Sequence, residues 1–256
     1  MSELIFIGTG SALESLDRFH SSFLIKSKNY NLLIDAGDGV SKALLNQQIN
    51  YFSIDGILFT HFHPDHFSGF GGLIVQMEIL QREEPLEIFA HSKLIPFIKD
   101  YLHLSYLYEK RLKFKINFVG YEHEEDFNIC DNLKVISKNN THIDIYKKYG
   151  AEFKNYFSSS SFILTTENKK IFYTGDIGSG NDLYIFSDEK INYMITEITH
   201  VSAVDIIEAV KTIKPEKLYL THISDADTQK INSIIKENSK FYISTIEAKD
   251  GLKFKI

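Results

Sequence analysis

The chain has 256 residues, 43% of them hydrophobic, and a formal net charge of -6. That length can bury roughly 70–75% of the extended-chain surface in a core, and the acidic balance excludes a general electrostatic pull toward nucleic acid. No apolar stretch is long enough to span a bilayer, the start Met1-Ser2-Glu3-Leu4 lacks a signal-peptide pattern, and the single cysteine, Cys130, excludes an internal disulfide framework. These features fit a cytoplasmic protein with no membrane attachment, and Cys130 reads as a small buried hydrophobe.

Strand-like and helix-like segments alternate along the chain. Segments 4–8, 22–27 and 31–35 read as consecutive strands, with turns at Lys28-Asn29 and Gly37. A helix is expected over 39–48, then a strand over 54–60. Helical spacing of Phe67, Phe70, Leu73, Ile74, Met77 and Leu80 predicts a helix over 66–81. A strand over 86–90 and a helix over 92–107, capped by Ser92, follow. The second half reads as strands near 114–119, 133–138, 160–165 and 170–174, a helix over 204–213, a strand over 217–221, a helix over 227–237 and closing strands. No linker rich in Pro, Gly or Ser divides these halves, so 1–256 reads as one domain in which two strand-rich halves with outer helices form two sheets face to face.

The run Thr60-His61-Phe62-His63-Pro64-Asp65-His66 places four strong metal ligands directly after the apolar Ile57-Leu58-Phe59. On extended backbone His61 and His63 point the same way, and Pro64 then breaks the strand and turns Asp65 and His66 toward a second point. Such a loop can serve two neighbouring metal ions, and imidazoles with a carboxylate suit zinc. His142, in a turn after Asn139-Asn140-Thr141, Asp176 in Tyr173-Thr174-Gly175-Asp176, and His222 in Leu220-Thr221-His222-Ile223-Ser224 are further ligand candidates. Asp35, at a strand end, reads as a partner of the metal loop rather than a ligand. His20, His91, His103 and His123 read as structural or solvated. The serine run 158–161 could offer hydroxyls to a phosphate, but reads rather as the start of a strand with alternate residues in solvent. The basic run Lys110-Arg111-Leu112-Lys113-Phe114-Lys115 alternates as a strand does, and Lys147-Lys148 is a second basic patch.

His-x-His-x-Asp-His resembles the hallmark of the metallo-β-lactamase superfamily. The resemblance extends over nearly the whole chain through Phe6-Ile7-Gly8-Thr9-Gly10-Ser11-Ala12, Leu33-Ile34-Asp35-Ala36-Gly37, the ligand run, His142 with Tyr173–Asp176, and Leu220–Ser224, in the family's order. The early Gly-Thr-Gly-Ser and late Thr-His-x-Ser look like the RNase Z-like branch. The resemblance implies an α/β fold, the αβ/βα four-layer sandwich of two mixed sheets with outer helices. It implies two Zn2+, with Mn2+ or Fe2+ as alternatives: His61, His63 and His142 on the first ion, Asp65, His66 and His222 on the second, and Asp176 bridging both. His63 stands where the flavodiiron-type relatives carry Glu, which disfavours a di-iron redox role.

The same resemblance implies hydrolysis by a hydroxide shared between the metals, with Asp65 orienting it. In RNase Z an acidic residue and a histidine, farther apart in sequence, assist proton transfer; here Glu197 and His200 are the matching candidates, His200 as general acid and Glu197 as its orienter, against a rival reading as a motif that opens a helix. RNase Z grips tRNA with a protruding arm between the positions matching His142 and Asp176, and the stretch 143–175 holds core strands instead. With the acidic balance, this points to a small phosphodiester such as a cyclic nucleotide, in a pocket bounded by the loops around His142, 158–161 and 197–202, and away from long nucleic acid. A tRNA 3′-processing endoribonuclease and a lactonase or thioesterase of the same fold are the alternatives. Relatives in this branch are commonly homodimers, which makes a homodimer the expectation.

Overall fold

A computed structural model describes residues 2–150 and 156–256. The chain forms two compact units, residues 1–122 with 249–256, and residues 123–248. The first unit contains β1 (Glu3–Gly8), β2 (Ser22–Lys26), β3 (Asn31–Ile34), α1 (Val40–Asn46), β4 (Gly56–Leu58), α2 (Pro64–Phe67), α3 (Gly69–Ile79), β5 (Leu86–His91), α4 (Ile95–Leu104) and β6 (Ile116–Tyr121), and takes back the last strand of the chain, β14 (Lys253–Lys255). Its seven-stranded sheet runs β14-β1-β2-β3-β4-β5-β6. Pairs from β14 to β3 are antiparallel and those from β3 to β6 parallel.

The second unit contains β7 (Asp126–Cys130), β8 (Leu133–Asn139), α5 (Lys147–Gly150), β9 (Ser160–Thr166), β10 (Lys169–Tyr173), β11 (Tyr193–Glu197), α6 (Ala203–Ile213), β12 (Lys217–Thr221), α7 (Thr228–Ser239) and β13 (Ser244–Glu247). Its sheet has the order β13-β12-β11-β10-β9-β8-β7, parallel from β13 to β10 and antiparallel beyond. Parallel strands need crossovers, and α6 and α7 supply them here as α1, α3 and α4 do in the first unit. The near-continuous apolar strands Leu32-Leu33-Ile34 and Ile171-Phe172-Tyr173, each at the start of the parallel part of its sheet, are buried throughout. In the second unit Phe172, Met194, Leu218 and Leu220 form one core with Ile206, Val210 and Ile234 from the helices.

Four local expectations are corrected. Pro64 is the first residue of a helix rather than a breaker, because its missing N–H costs nothing there. The His91 side chain, not Ser92, caps the turn before α4 by accepting from Lys93 N. β7 is an additional strand: only Ile129 in Asp-Phe-Asn-Ile-Cys is fully buried, so its alternation is weak. The basic run 110–115 lies in turns before β6; Leu112 and Phe114 are buried and the charges face outward without strand pairing. Cys130 is half-buried at the end of β7. Among the described residues no helix is long and apolar enough to cross a membrane.

Arg82 is fully buried. Its guanidinium donates to the carbonyls of Glu84 and Pro85 at 2.7 and 2.8 Å and of Tyr51 and Phe52 at 3.3 Å. Burial pulls its pKa down, opposed by Asp55 and Glu84. This clamp joins the turn before β4 to the turn before β5, the strands that flank the metal run. Arg82→Ala leaves these buried acceptors without donors and should cost about 3 kcal/mol, lowering Tm in a thermal melt by roughly 6–12 °C.

Candidate metal centre

In the first unit the parallel strands β3 and β4 are in register, Ile34 opposite Leu58, so Asp35 and the metal run leave the sheet at the same carboxyl edge. Phe59 packs against Phe62, Phe67 and Phe70 with ring centroids 5.1–6.1 Å apart and forms the floor of the run. His61 and His63 follow on extended backbone, their rings 4.7 Å apart, and each offers a ligand nitrogen within 4.8 Å of the other. Asp65 and His66 stand on the first turn of α2. Ala36 N donates to His66 O at 2.7 Å, which draws the 35–37 turn against this helix. A Cβ on Gly37 would lie 2.0 Å from the Asp65 carbonyl oxygen, so no other residue fits there without moving a candidate ligand.

Asp35 is fully buried with left-handed backbone, φ 57°. Its carboxylate accepts from Thr60 N at 2.8 Å, from Thr60 Oγ1 at 2.9 Å, and from His66 Nδ1 at 2.8 Å. Burial pushes the Asp35 carboxyl above the usual carboxylate range, and His66 and Thr60 oppose this. The Thr60 hydroxyl has one proton and gives it to Asp35, so toward His61 Nδ1, 2.9 Å away, it is an acceptor. Both His61 and His66 therefore carry their proton on Nδ1, and Nε2 is the nitrogen each would offer a metal.

In the second unit β10, β11 and β12 are parallel neighbours, and Asp176, Glu197 and His222 sit at or just beyond their carboxyl ends. Gly175 takes a left-handed turn, φ 58°, before Asp176. His222 is also left-handed, φ 56°, an uncommon conformation of the kind that clusters at functional sites. Thr199 Oγ1 donates to the His222 carbonyl at 2.8 Å and lies 3.0 Å from His222 Nδ1. Its one proton is committed, so His222 is also protonated on Nδ1 and presents Nε2. Asp176 Oδ2 stands 3.2 Å from His222 Nε2 and 3.7 Å from His142 Nε2.

Glu197 is buried, and its carboxylate accepts from Thr199 N at 2.6 Å and His200 N at 2.9 Å, with Oε1 3.1 Å from His200 Nδ1. The His200 ring lies 4.7 Å from that of His142 and 5.6 Å from that of His222, with about a third of its side chain exposed. It is thus held at Nδ1 beside two candidate ligands while its edge reaches solvent.

Several positioning residues escaped the sequence. Asp182 accepts from Thr141 Oγ1 at 2.6 Å and from Gly178 N at 2.9 Å, tying the His142 turn to the one after Asp176. Asn140 accepts from His142 N at 3.1 Å and donates to Thr174 O at 3.3 Å. The spacing Ser179-x-x-Asp182, a capping box, was a visible signal for the first; Asn140, Thr60 and Thr199 had none beyond being turn formers. The serine run 158–161 is buried at all four positions, against the expected alternation. Ser161 donates to Thr174 O and Ser160 meets His123 Nε2 at 2.9 Å, so these hydroxyls serve the sheet and its neighbours. His20 is buried, with Nδ1 2.7 Å from Ser11 O.

The donors in each unit fit a transition metal. Two ligands about 2.1 Å from a tetrahedral ion are about 3.4 Å apart. The N–O separations of 3.6 Å for His66–Asp65, 3.7 Å for His142–Asp176 and 3.2 Å for His222–Asp176 straddle that length. All donors are nitrogen or carboxylate oxygen, the set that zinc accepts. Asp35→Asn keeps the shape but weakens the acceptor behind both imidazoles, so zinc affinity measured by competition with a chelating dye should fall about 10–100-fold.

The family described as "Anti-Pycsar protein Apyc1" matches residues 2–242. A Ribonuclease Z of Saccharolobus solfataricus is 28% identical over 232 residues, which cover 86% of this chain and 77% of that protein. Two solved structures are similar over 99% of the chain: the metallo-beta-lactamase fold protein YhfI from Bacillus subtilis, TM-score 0.76, 18% identity and 98% of its own length, and human tRNase Z, short form (ELAC1), TM-score 0.72, 20% identity and 99% of its own length. At those identities the structures speak for the fold, and they bear out the expected α/β sandwich class. The chain belongs to the anti-Pycsar protein Apyc1 family, within the RNase Z-like branch of metallo-β-lactamase-fold metal-dependent hydrolases.

Proposed function

We propose that the protein is a binuclear zinc hydrolase acting on a small phosphodiester such as a cyclic nucleotide. In this reading His61, His63, His142 and Asp176 would hold one ion, and Asp65, His66, His222 and Asp176 would hold the other. The observation that carries it is the oxygen placed against Nδ1 of His61, His66 and His222, which leaves Nε2 of each to serve a metal. Zinc bound there would supply Lewis acidity and would acidify a water toward neutral pH. Asp65 would be the carboxylate that orients the attacking water. His200, its Nδ1 fixed by buried Glu197, gives a proton from Nε2 to the leaving alkoxide.

Substrate size follows from charge and chain economy. A folded RNA is gripped by a spread of phosphate contacts, and this chain has a net charge of -6. Between His142 and Asp176 the described residues are taken up largely by a short helical turn, α5, β9 and β10, which argues against a tRNA-gripping arm. A homodimer acting in the cytoplasm belongs to the same reading. The likeness to Ribonuclease Z favours a second reading, tRNA 3′-end processing.

Catalytic efficiency on 3′,5′-cyclic mononucleotides and on a 3′-extended pre-tRNA, compared at one salt concentration, separates the two. The cyclic nucleotides should be far better substrates; site-specific tRNA cleavage with cyclic nucleotides untouched establishes the second reading instead. His200→Ala should slow alkoxide release by about 10²–10⁴-fold and cost much less with a p-nitrophenolate leaving group, at unchanged metal content. Equal losses on both leaving groups would make His200 structural.

A further inference from the structure

The turn after β11 carries much of the second unit's chemistry in three residues. Glu197 receives the amides of Thr199 and His200 and holds the His200 ring, and Thr199 holds both the carbonyl and Nδ1 of His222. All these contacts run through amides and side chains of the turn. Its carbonyls need partners of their own, because a partly buried peptide oxygen left without a donor costs free energy.

Lys230 meets that need. It lies in the first turn of α7, eight residues after His222, and its Nζ donates to the carbonyl oxygens of Ile198 and Val201, the residues that flank Thr199-His200. A half-buried ammonium with two backbone acceptors is a charge-assisted clamp, stronger than a neutral hydrogen bond. It also closes a loop of connections: His222 leads through the capped turn Ser224–Asp227 into α7, α7 carries Lys230, Lys230 holds the 198–201 turn, and that turn holds His222 again.

We infer that Lys230 is a positioning residue that fixes the 197–201 turn and thereby the orientation of His200 and His222. The ammonium does not touch the reacting atoms; its charge is spent on the two carbonyls. Methionine in its place keeps the length of the side chain and removes the donors, whereas arginine restores them. The consequence for turnover rests on the general-acid reading of His200; the consequence for the turn does not.

Amide hydrogen exchange in the full-length, zinc-loaded protein reads the clamp directly. In Lys230→Met the Thr199 and His200 amides should exchange at least about tenfold faster, with Leu218, Tyr219 and Leu220 in β12 unchanged, and Lys230→Arg should return them toward the wild-type rate. Unchanged protection of Thr199 and His200, or an equal acceleration of the β12 amides, overturns the inference. Should Lys230→Met fail to fold, Lys230→Gln, which keeps N–H donors without the charge, carries the same comparison with a smaller acceleration. In turnover, Lys230→Met should lose more on an alkoxide than on a p-nitrophenolate leaving group, and the double variant with His200→Ala should lose less than the two single losses combined. If exchange accelerates as stated while His200→Ala keeps full activity, the general-acid reading falls and the clamp stands.

Discussion

The buried carboxylate of Asp35 is the constraint on which the first unit's chemistry depends. It sits out of water at the carboxyl edge of β3, on left-handed backbone, and gathers one amide, one hydroxyl and one imidazole. Burying a carboxylate is costly unless it is well bonded, and these donors offset the cost only if Thr60 and His66 stay in place. Stability and ligand geometry are therefore coupled. Movement of the 60–66 run would strip the carboxylate of its partners, so the fold itself holds the candidate ligand His66 in position. The aromatic floor beneath Phe59 and the tight approach of Gly37 to Asp65 remove the remaining freedom.

The second unit reaches the same end with different groups. A threonine hydroxyl, already committed to a carbonyl, takes the place of the carboxylate behind His222. Asp182 and Asn140 bind the His142 turn to the strand that delivers Asp176. Glu197 does for His200 what Asp35 does for His66, with one difference: His200 remains about a third exposed. In the proposed reading that exposure suits a general acid, and the burial of His61, His66, His142 and His222 suits ligation. Sites held by rotamers locked from behind are the ones precise enough for catalysis.

The run 61–66 stood out as a candidate because its chemistry is local: four donors lie in six positions after an apolar strand. Asp176 and His222 became candidates through their short motifs and the order of those motifs along the chain. The residues that stiffen them were not legible. Thr60 and Thr199 are common strand-end and turn residues, and their value lies in which single proton goes where, something only geometry fixes. Pro64 misled because proline can end a strand or start a helix, and here it only starts one: β4 has already ended at Leu58. The serine run 158–161 misled in the opposite way: all four residues are buried, and at the start of β9 the Ser160 hydroxyl meets the His123 imidazole while that of Ser161 donates to the Thr174 carbonyl. β7 was hidden at the sheet edge, where a strand needs only one buried side chain.

One carboxylate shared between two ions is the central claim, and metal stoichiometry tests it most directly. Elemental analysis of protein purified without chelator and reconstituted with zinc should give two ions per chain, and Asp176→Ala should lose metal from both positions while the folded chain persists by circular dichroism. A wild-type content near zero after reconstitution, or an Asp176→Ala protein that keeps both ions, would contradict it.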